Sequence, residues 1–259
     1  MCRLVYCSVM CNYRAVLPAE PSSPPSRPPR RAVLPAEPSS PSNRRSDMTH
    51  APVPAAPERG RTLLTRARIL EAARQELGRD PDSSLGDIAE AAGVVRRTVY
   101  GHFNGRAALV EGLVEEAAQA LRRALAAPRE QAADAATELA LFVLAVWPVG
   151  DRYRILLRLA PQDLGPERVA EVLAPARDMA ETIIARGQRH GAFQTGIPPV
   201  VLARALEGHL LGLLDCVNGG LWSDDGTGTA TAALIAMGVD GQRAATCVHG
   251  LVRPEGDAS

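Results

Sequence analysis

The chain has 259 residues, 46% of them apolar and only 3% aromatic, and its 29 basic residues, all arginine, balance 29 carboxylates to a formal net charge of zero. That balance excludes a uniformly basic nucleic-acid coat but leaves room for a local basic patch, and the length suffices for one substantial core or two small ones. Five cysteines, three of them crowded at Cys2, Cys7 and Cys11, do not make a disulfide framework in a chain this long, which fits a reducing cytoplasm. Alanine and leucine are abundant and β-branched residues form few alternating runs, so the chain reads as all-α.

Residues 1–57 differ in kind from the rest of the chain. Twelve of the 21 prolines fall there among serine, arginine and alanine. No periodic apolar face is left to pack, and the segment reads as a disordered extension. RAVLPAEPSSP occurs twice in it, at Arg14–Pro24 and Arg31–Pro41, a copy too short to form a stacking unit. The expectation is a duplicated stretch of coding DNA, with native translation starting at Met48; the alternative is a flexible basic arm that adds phosphate contacts. The opening MCRLVYCSVMCNYR is short, broken by polar residues and without a small-x-small cleavage site, so no signal peptide is read there. No later run is long and apolar enough to span a bilayer, and the expected location is cytoplasmic.

From Thr65 the pattern turns helical. TRARILEAARQEL sets Ile69, Leu70, Ala73 and Leu77 on one face, with Thr65 as N-cap and Gly78 with RDPDSS as the stop. Ser84 and Asp87 form an S-x-x-D capping arrangement ahead of a short second helix, Leu85 to Ala92. Gly93 supplies a residue free to take positive φ in a tight turn, and Val94 plugs the angle between two helices. A third helix follows from Arg96 to Phe103, with Val99 and Phe103 inward and Arg96, Arg97, Thr98, Tyr100 and His102 outward or flanking.

A two-helix unit with a glycine turn, whose second helix opens on arginines, has the geometry that lays a helix in the major groove of DNA. Arginine forks onto guanine O6 and N7, while hydroxyl, phenol and imidazole groups hold phosphate oxygens. Between Arg59 and Arg106 there are nine arginines against six carboxylates, a local excess in a neutral chain. On spacing alone, an ordinary charged helix on a helical protein explains the strip equally well.

Three segments, ILEAA at Ile69–Ala73, IAEAAGV at Ile88–Val94 and TVYGHF at Thr98–Phe103, together resemble the tetracycline-repressor (TetR) family of bacterial regulators. The resemblance is close over this stretch and architectural beyond it. It implies phosphate contacts for Thr98, Tyr100 and His102, base reading for Arg96 and Arg97, and a place near the DNA backbone for Arg106, where the family usually has lysine. Ser84, at the head of the second helix, joins these DNA-binding candidates. Val95 stands where the family usually has serine, which removes a side-chain N-cap at a cost of about 1 kcal/mol. Arg97 replaces a common small residue, which implies a distinct operator preference. The link between the first two helices is shorter than the common form and lacks its glycine.

Further helices are expected at Ala107–Leu125, a lever with Leu109, Leu113, Ala117 and Leu121 on one face, and at Ala132–Trp147 and Asp151–Ala160. Others follow at Pro166–Arg186 with a kink at Pro175, Pro198–Asn218, Thr227–Met237 and Gly241–Leu251. The domains are then an N-terminal three-helix helix-turn-helix DNA-binding domain at 58–106 and a C-terminal helical effector-binding and dimerisation domain at 107–251, with a disordered tail at 252–259. Gly208 and Gly212, four apart, allow another helix close in. The resemblance implies that Pro198–Asn218 and Thr227–Met237 pair across a two-fold axis, with Leu206, Gly208, Leu210, Gly212 and Leu213 in the dimer interface; the alternative is a monomeric core helix.

The implied partners are a second copy of the chain, a double-stranded palindromic DNA operator and a small-molecule effector that releases it, and the implied function is a dimeric transcriptional repressor. Trp147, Tyr153, Met179, Phe193 and His209 are the expected walls of the effector site, although such residues in a helical bundle are more often plain core. His209, Asp215 and Cys216 share one helix and Cys247-x-His249 forms a second pair. Neither set offers further ligands or a general-base partner at recognisable spacing, and no phosphate loop, HExxH or GxSxG occurs. No cofactor, metal, membrane or enzymatic activity is expected. A helical protein-interaction module is the other class that fits, and it would lack salt-dependent DNA affinity.

Overall fold

The computed structural model describes residues 56–127 and 134–252. The proline-rich extension with its duplicated peptide, Met48 and the three crowded cysteines lie outside the described residues, as do the expected helix start at Ala132 and the tail beyond Val252. Among the described residues there are ten α-helices and no strand, the all-α class. They are α1 (Ala56–Arg79), α2 (Leu85–Ala91), α3 (Arg96–His102), α4 (Arg106–Leu125), α5 (Ala135–Arg152), α6 (Leu156–Asp163), α7 (Pro166–Arg189), α8 (Pro199–Asn218), α9 (Thr227–Ala236) and α10 (Gly241–Val252).

Several boundaries follow from local chemistry. Ser84 and Asp87 close a reciprocal capping box: the Ser84 hydroxyl accepts from the Gly86 and Asp87 amides at 3.2 and 3.3 Å, and the Asp87 carboxylate accepts from the Ser84 amide at 2.8 Å. These hydrogen bonds hold the Asp87 carboxyl below its ordinary value. Gly93 takes φ 62° in the turn between α2 and α3, a conformation that favours glycine. Asp134 caps α5 by accepting from the Thr137 amide at 2.8 Å. Asp224 receives the Gly228 and Thr229 amides at the start of α9 and also the hydroxyl of Thr229, which satisfies the one fully buried polar side chain among the described residues.

Three expected boundaries are corrected. Thr65 is not an N-cap: α1 starts upstream, and the Thr65 hydroxyl donates back to the Arg61 carbonyl at 3.0 Å inside the helix. The helix expected to end at Trp147 continues through Pro148 to Arg152, and α6 begins only at Leu156. α7 runs past Pro175 and Arg186 to Arg189. A proline removes one hydrogen bond from a helix interior, and packing on both flanks outweighs that loss.

The helices bury two apolar cores. Ile69, Leu70, Ala73 and Leu77 of α1 meet Ile88, Val99 and Phe103 in the first, together with Leu109 and Leu113 of α4 and Leu156 and Leu159 of α6. The second joins Leu121 and Leu125 of α4 to Leu139 and Val143 of α5, Ile183 and Ile184 of α7, Leu202 and Leu206 of α8, Leu234 of α9 and Val248 of α10. Each such side chain contributes roughly 1.5–3 kcal/mol when fully buried. α4 is shared, its first half in one core and its second half in the other. α6 lies downstream in sequence yet packs on the first core, so the two cores interlock. Gly187 on α7 lies directly beneath the Phe193 ring, an approach no larger residue allows.

Candidate functional site

α3 presents its polar strip on the outside of the first core. Val99 and Phe103 anchor the helix inward, and Arg96, Arg97 and Tyr100 are exposed, while Thr98 and His102 are half-buried at the flanks. The Arg96 guanidinium lies over the Tyr100 ring, 5.7 Å from its centroid, and donates to the phenol oxygen at 3.4 Å. This pairing is a weak stack that pre-positions one cation beside a hydroxyl. Arg97 has no hydrogen bond or ion pair among the described residues and projects freely. Val95 has the extended geometry of an N-cap, φ −74° and ψ 147°, and its carbonyl accepts from the Thr98 amide at 2.8 Å, but it supplies no side-chain cap to α3.

Arg106, expected near the DNA backbone, and Ser84, a DNA-binding candidate, both have partners within the chain. The Arg106 guanidinium donates to the carbonyls of Pro81 at 2.7 Å and Ser83 at 3.4 Å and pairs with Asp163 of α6 at 3.4 Å. It thus ties the loop that precedes α2 to the end of α6. The Ser84 oxygen is used in the capping box, and its O–H remains able to donate outward. Asp163 was not legible as a partner, because an ion pair between helices far apart in sequence leaves no periodic signal.

The second feature is an apolar cavity of about 160 Å³ at the junction of the two cores. Val114 and Ala117 of α4, Trp147 and Gly150 of α5, Leu156 of α6, Leu173 of α7 and Leu206 and Leu214 of α8 contribute to its wall. Of the five expected wall residues, Trp147 and Tyr153 line it. Met179, Phe193 and His209 do not: Met179 and Phe193 pack into the second core, Phe193 over Gly187. His209 is half-buried away from the cavity with Nε2 unpaired, and burial lowers its pKa. Trp147 is held by its N–H, which donates to the Asp224 carbonyl at 3.0 Å, and by the Trp222 ring 6.1 Å away.

Arg177 and Glu207 also line the cavity, and sequence reading missed both. They pair across α7 and α8, Nε to Oε2 at 2.7 Å and Nη2 to Oε1 at 3.2 Å, with side chains only 11% and 16% exposed. Helical spacing could have placed each on an inner face, but nothing local shows that the two faces meet.

On α8 the expected interface residues separate. Leu206 is buried in the second core and Leu210 turns to the cavity, so neither is available to a second chain. The reason is the helical period: Leu202, Leu206, Leu210 and Leu214 fall on the inward face, and Val201, Ala205, Gly208 and Gly212 on the opposite one. Space at Gly208 and Gly212 is open, and Leu213 is half-buried at the edge. Among the described residues, no group of three or more His, Cys, Asp and Glu side chains is placed to hold a metal. No helix there is long and apolar enough to cross a membrane.

A helix-turn-helix unit with an exposed arginine-bearing second helix, joined through a shared helix to a bundle with an apolar cavity, defines a two-part helical protein of the regulator type. Residues 69–113 match the family model of bacterial regulatory proteins of the tetR family. Over 53 residues it is 45% identical to the HTH-type transcriptional regulator TtgR of Pseudomonas putida, a match that spans 20% of this chain and 25% of that relative's length. Two solved structures share the fold. The TetR-family transcriptional regulator PfmR from Thermus thermophilus superposes with a TM-score of 0.55 at 19% identity, over 66% of this chain and 98% of that one. NalD, the secondary repressor of the MexAB-OprM multidrug efflux pump in Pseudomonas aeruginosa, does so with a TM-score of 0.50 at 25% identity, over 69% and 95%. The resemblance read from Ile69 to Phe103 is thereby confirmed, and the expected all-α architecture with it.

Proposed function

We propose that this protein is a dimeric DNA-binding repressor, released from a palindromic operator by a small molecule that enters the cavity between its two cores. The observation that carries the reading is the exposed face of α3, where Arg96, Arg97 and Tyr100 stand clear of the first core within the family-matching segment. Arginine at the start of such a helix reaches base edges, and phenol and hydroxyl groups hold phosphates and so fix register. The dimer would form on the open face of α8 at Gly208 and Gly212, which sets two copies of α3 roughly 34–36 Å apart. A ligand at the junction of the cores acts on α4, which belongs to both. Complete switching requires about 5.5 kcal/mol of differential affinity, a demand that a buried site meets better than a surface one.

The test is retardation of DNA from upstream of the protein's own coding sequence at several salt concentrations, with an Arg96→Ala, Tyr100→Ala double variant alongside. Saturable, salt-sensitive binding of a palindrome-bearing fragment, lost in the variant, is expected. No preference over random DNA, in this fragment or in a genome-wide selection of bound fragments, overturns the reading.

A further inference from the structure

We infer that the cavity takes a neutral, single-ring aromatic alcohol, its ring in the apolar chamber and its hydroxyl on the Arg177–Glu207 pair. The regulatory consequence rests on the function proposed above; the ligand class itself rests on the cavity alone.

Size comes first. At about 160 Å³ the chamber compares with the apolar cavity of roughly 150 Å³ that holds a single benzene. One ring fits that volume. Polarity comes second. The walls are apolar apart from the Arg177–Glu207 pair and the Tyr153 phenol, and the Trp147 N–H is already taken by the Asp224 carbonyl. Arg177 uses Nε and Nη2 on Glu207 and reaches the Ala170 carbonyl with Nη2 at 3.5 Å, while Nη1 makes no hydrogen bond among the described residues.

The pair therefore offers an unused donor on Arg177 and a lone pair on the Glu207 carboxylate, whose Oε1 also lies 3.8 Å from Arg204 Nη1. A carboxylate ligand would meet the Glu207 charge and an ammonium the Arg177 charge, each after losing its own water. A hydroxyl avoids both penalties, because one group accepts from Arg177 and donates to Glu207. A plain hydrocarbon fills the chamber but leaves the Arg177 Nη1 donor without an acceptor.

The full-length chain, free of DNA, is titrated by calorimetry with phenol, toluene, benzoate and benzylamine. Phenol is expected to saturate one site per chain with a Kd at or below about 1 mM, with benzoate and benzylamine at least roughly tenfold weaker. An Arg177→Gln, Glu207→Gln double variant should lose the preference for phenol over toluene while still taking up both rings. Ala176→Phe, which fills the chamber from a half-buried wall position, should abolish uptake. Thermal melting reports whether either variant remains folded; if one does not, the selectivity of the unaltered chain decides alone. Absence of saturable phenol binding, or equal binding of phenol, benzoate and benzylamine, overturns the inference. If operator DNA is bound but phenol is not, only the ligand class falls. If phenol is bound but no DNA, the regulator reading falls and the site stands.

Discussion

Arg152, the last residue of α5, reaches back to Glu71 of α1 at 2.8 Å, and its carbonyl accepts from Arg74 at 3.4 Å. The end of α5, whose Val149 and Gly150 wall the cavity with the following Tyr153, is therefore tied directly to the first helix of the helix-turn-helix unit. Arg106 and Asp163 form a second tie, between the start of α4 and the end of α6. Glu71 is held below the ordinary carboxylate range chiefly by its hydrogen bond from Arg74, so the bridge stays ionised at neutral pH.

The Arg152–Glu71 pair is about half exposed, so its own stabilisation is at most about 1 kcal/mol. Arg152→Ala should shift the thermal midpoint by no more than about 4 °C. Its effect belongs in the coupling: the ratio of operator affinities measured without and with phenol should fall severalfold toward unity. An unchanged ratio would remove this tie from the route of communication.

Arg97 and Tyr100 should separate specificity from affinity. Arg97→Ala is expected to cost about 1–3 kcal/mol on the preferred operator and to relax selectivity at one base position. Tyr100→Phe, which removes the hydroxyl proposed to hold a phosphate, should weaken all sequences alike. Binding to a set of single-base operator variants distinguishes the two, and a uniform loss for Arg97→Ala would remove its base-reading role.

Val95 already has N-cap geometry and is 66% exposed, so little burial is lost on replacing it. Val95→Ser should supply the missing acceptor at the start of α3 and stabilise the fold by about 0.5–1 kcal/mol, seen as a rise of up to about 4 °C in the melting midpoint. A midpoint at or below that of the parent chain would mean that another group already serves those amides.

Gly187→Ala sets a methyl against the buried Phe193 ring. The ring cannot withdraw from a filled core without opening space elsewhere, so a loss of about 1–3 kcal/mol is expected in chemical unfolding. Pairing the change with Phe193→Leu should recover part of it, and equal losses with and without the second change would show that the clash is not with this ring.

Asp134 contributes to the pH dependence of folding. The Thr137 amide donates to its carboxylate, which lowers its pKa in the folded chain. A depressed carboxyl stabilises the fold above its unfolded value near 3.9, and that contribution is lost as pH falls through the lower folded value. The stability difference between the parent chain and Asp134→Asn should accordingly narrow below about pH 4, as read by melting across an acid series. A difference that stays constant down that series would remove the carboxylate from the acid limb.

Local pattern carried most of the helix-turn-helix unit. Ser84 with Asp87, Gly93 and the inward Val99 and Phe103 are set by bonds or periodicity within a few residues, and they stand where their spacing placed them. The end of α5 and the start of α1 were misread: α5 continues through Pro148, and α1 begins upstream of Thr65, whose hydroxyl bonds back to the Arg61 carbonyl within the helix. The faces of α8 were not separable in sequence because its leucines satisfy a core and an interface equally well until neighbouring helices are present.

The sequence by itself therefore determined the all-α class, the capped turn of the helix-turn-helix unit and the polar strip of α3, because short-range hydrogen bonds and helical period act within one or two elements. Only the tertiary structure decided that Arg106 binds the loop and α6, that Arg177 meets Glu207 at a cavity, and that Arg152 bridges to Glu71. Those pairs join residues dozens of positions apart, and their meeting depends on how whole helices pack, a property that no local spacing encodes.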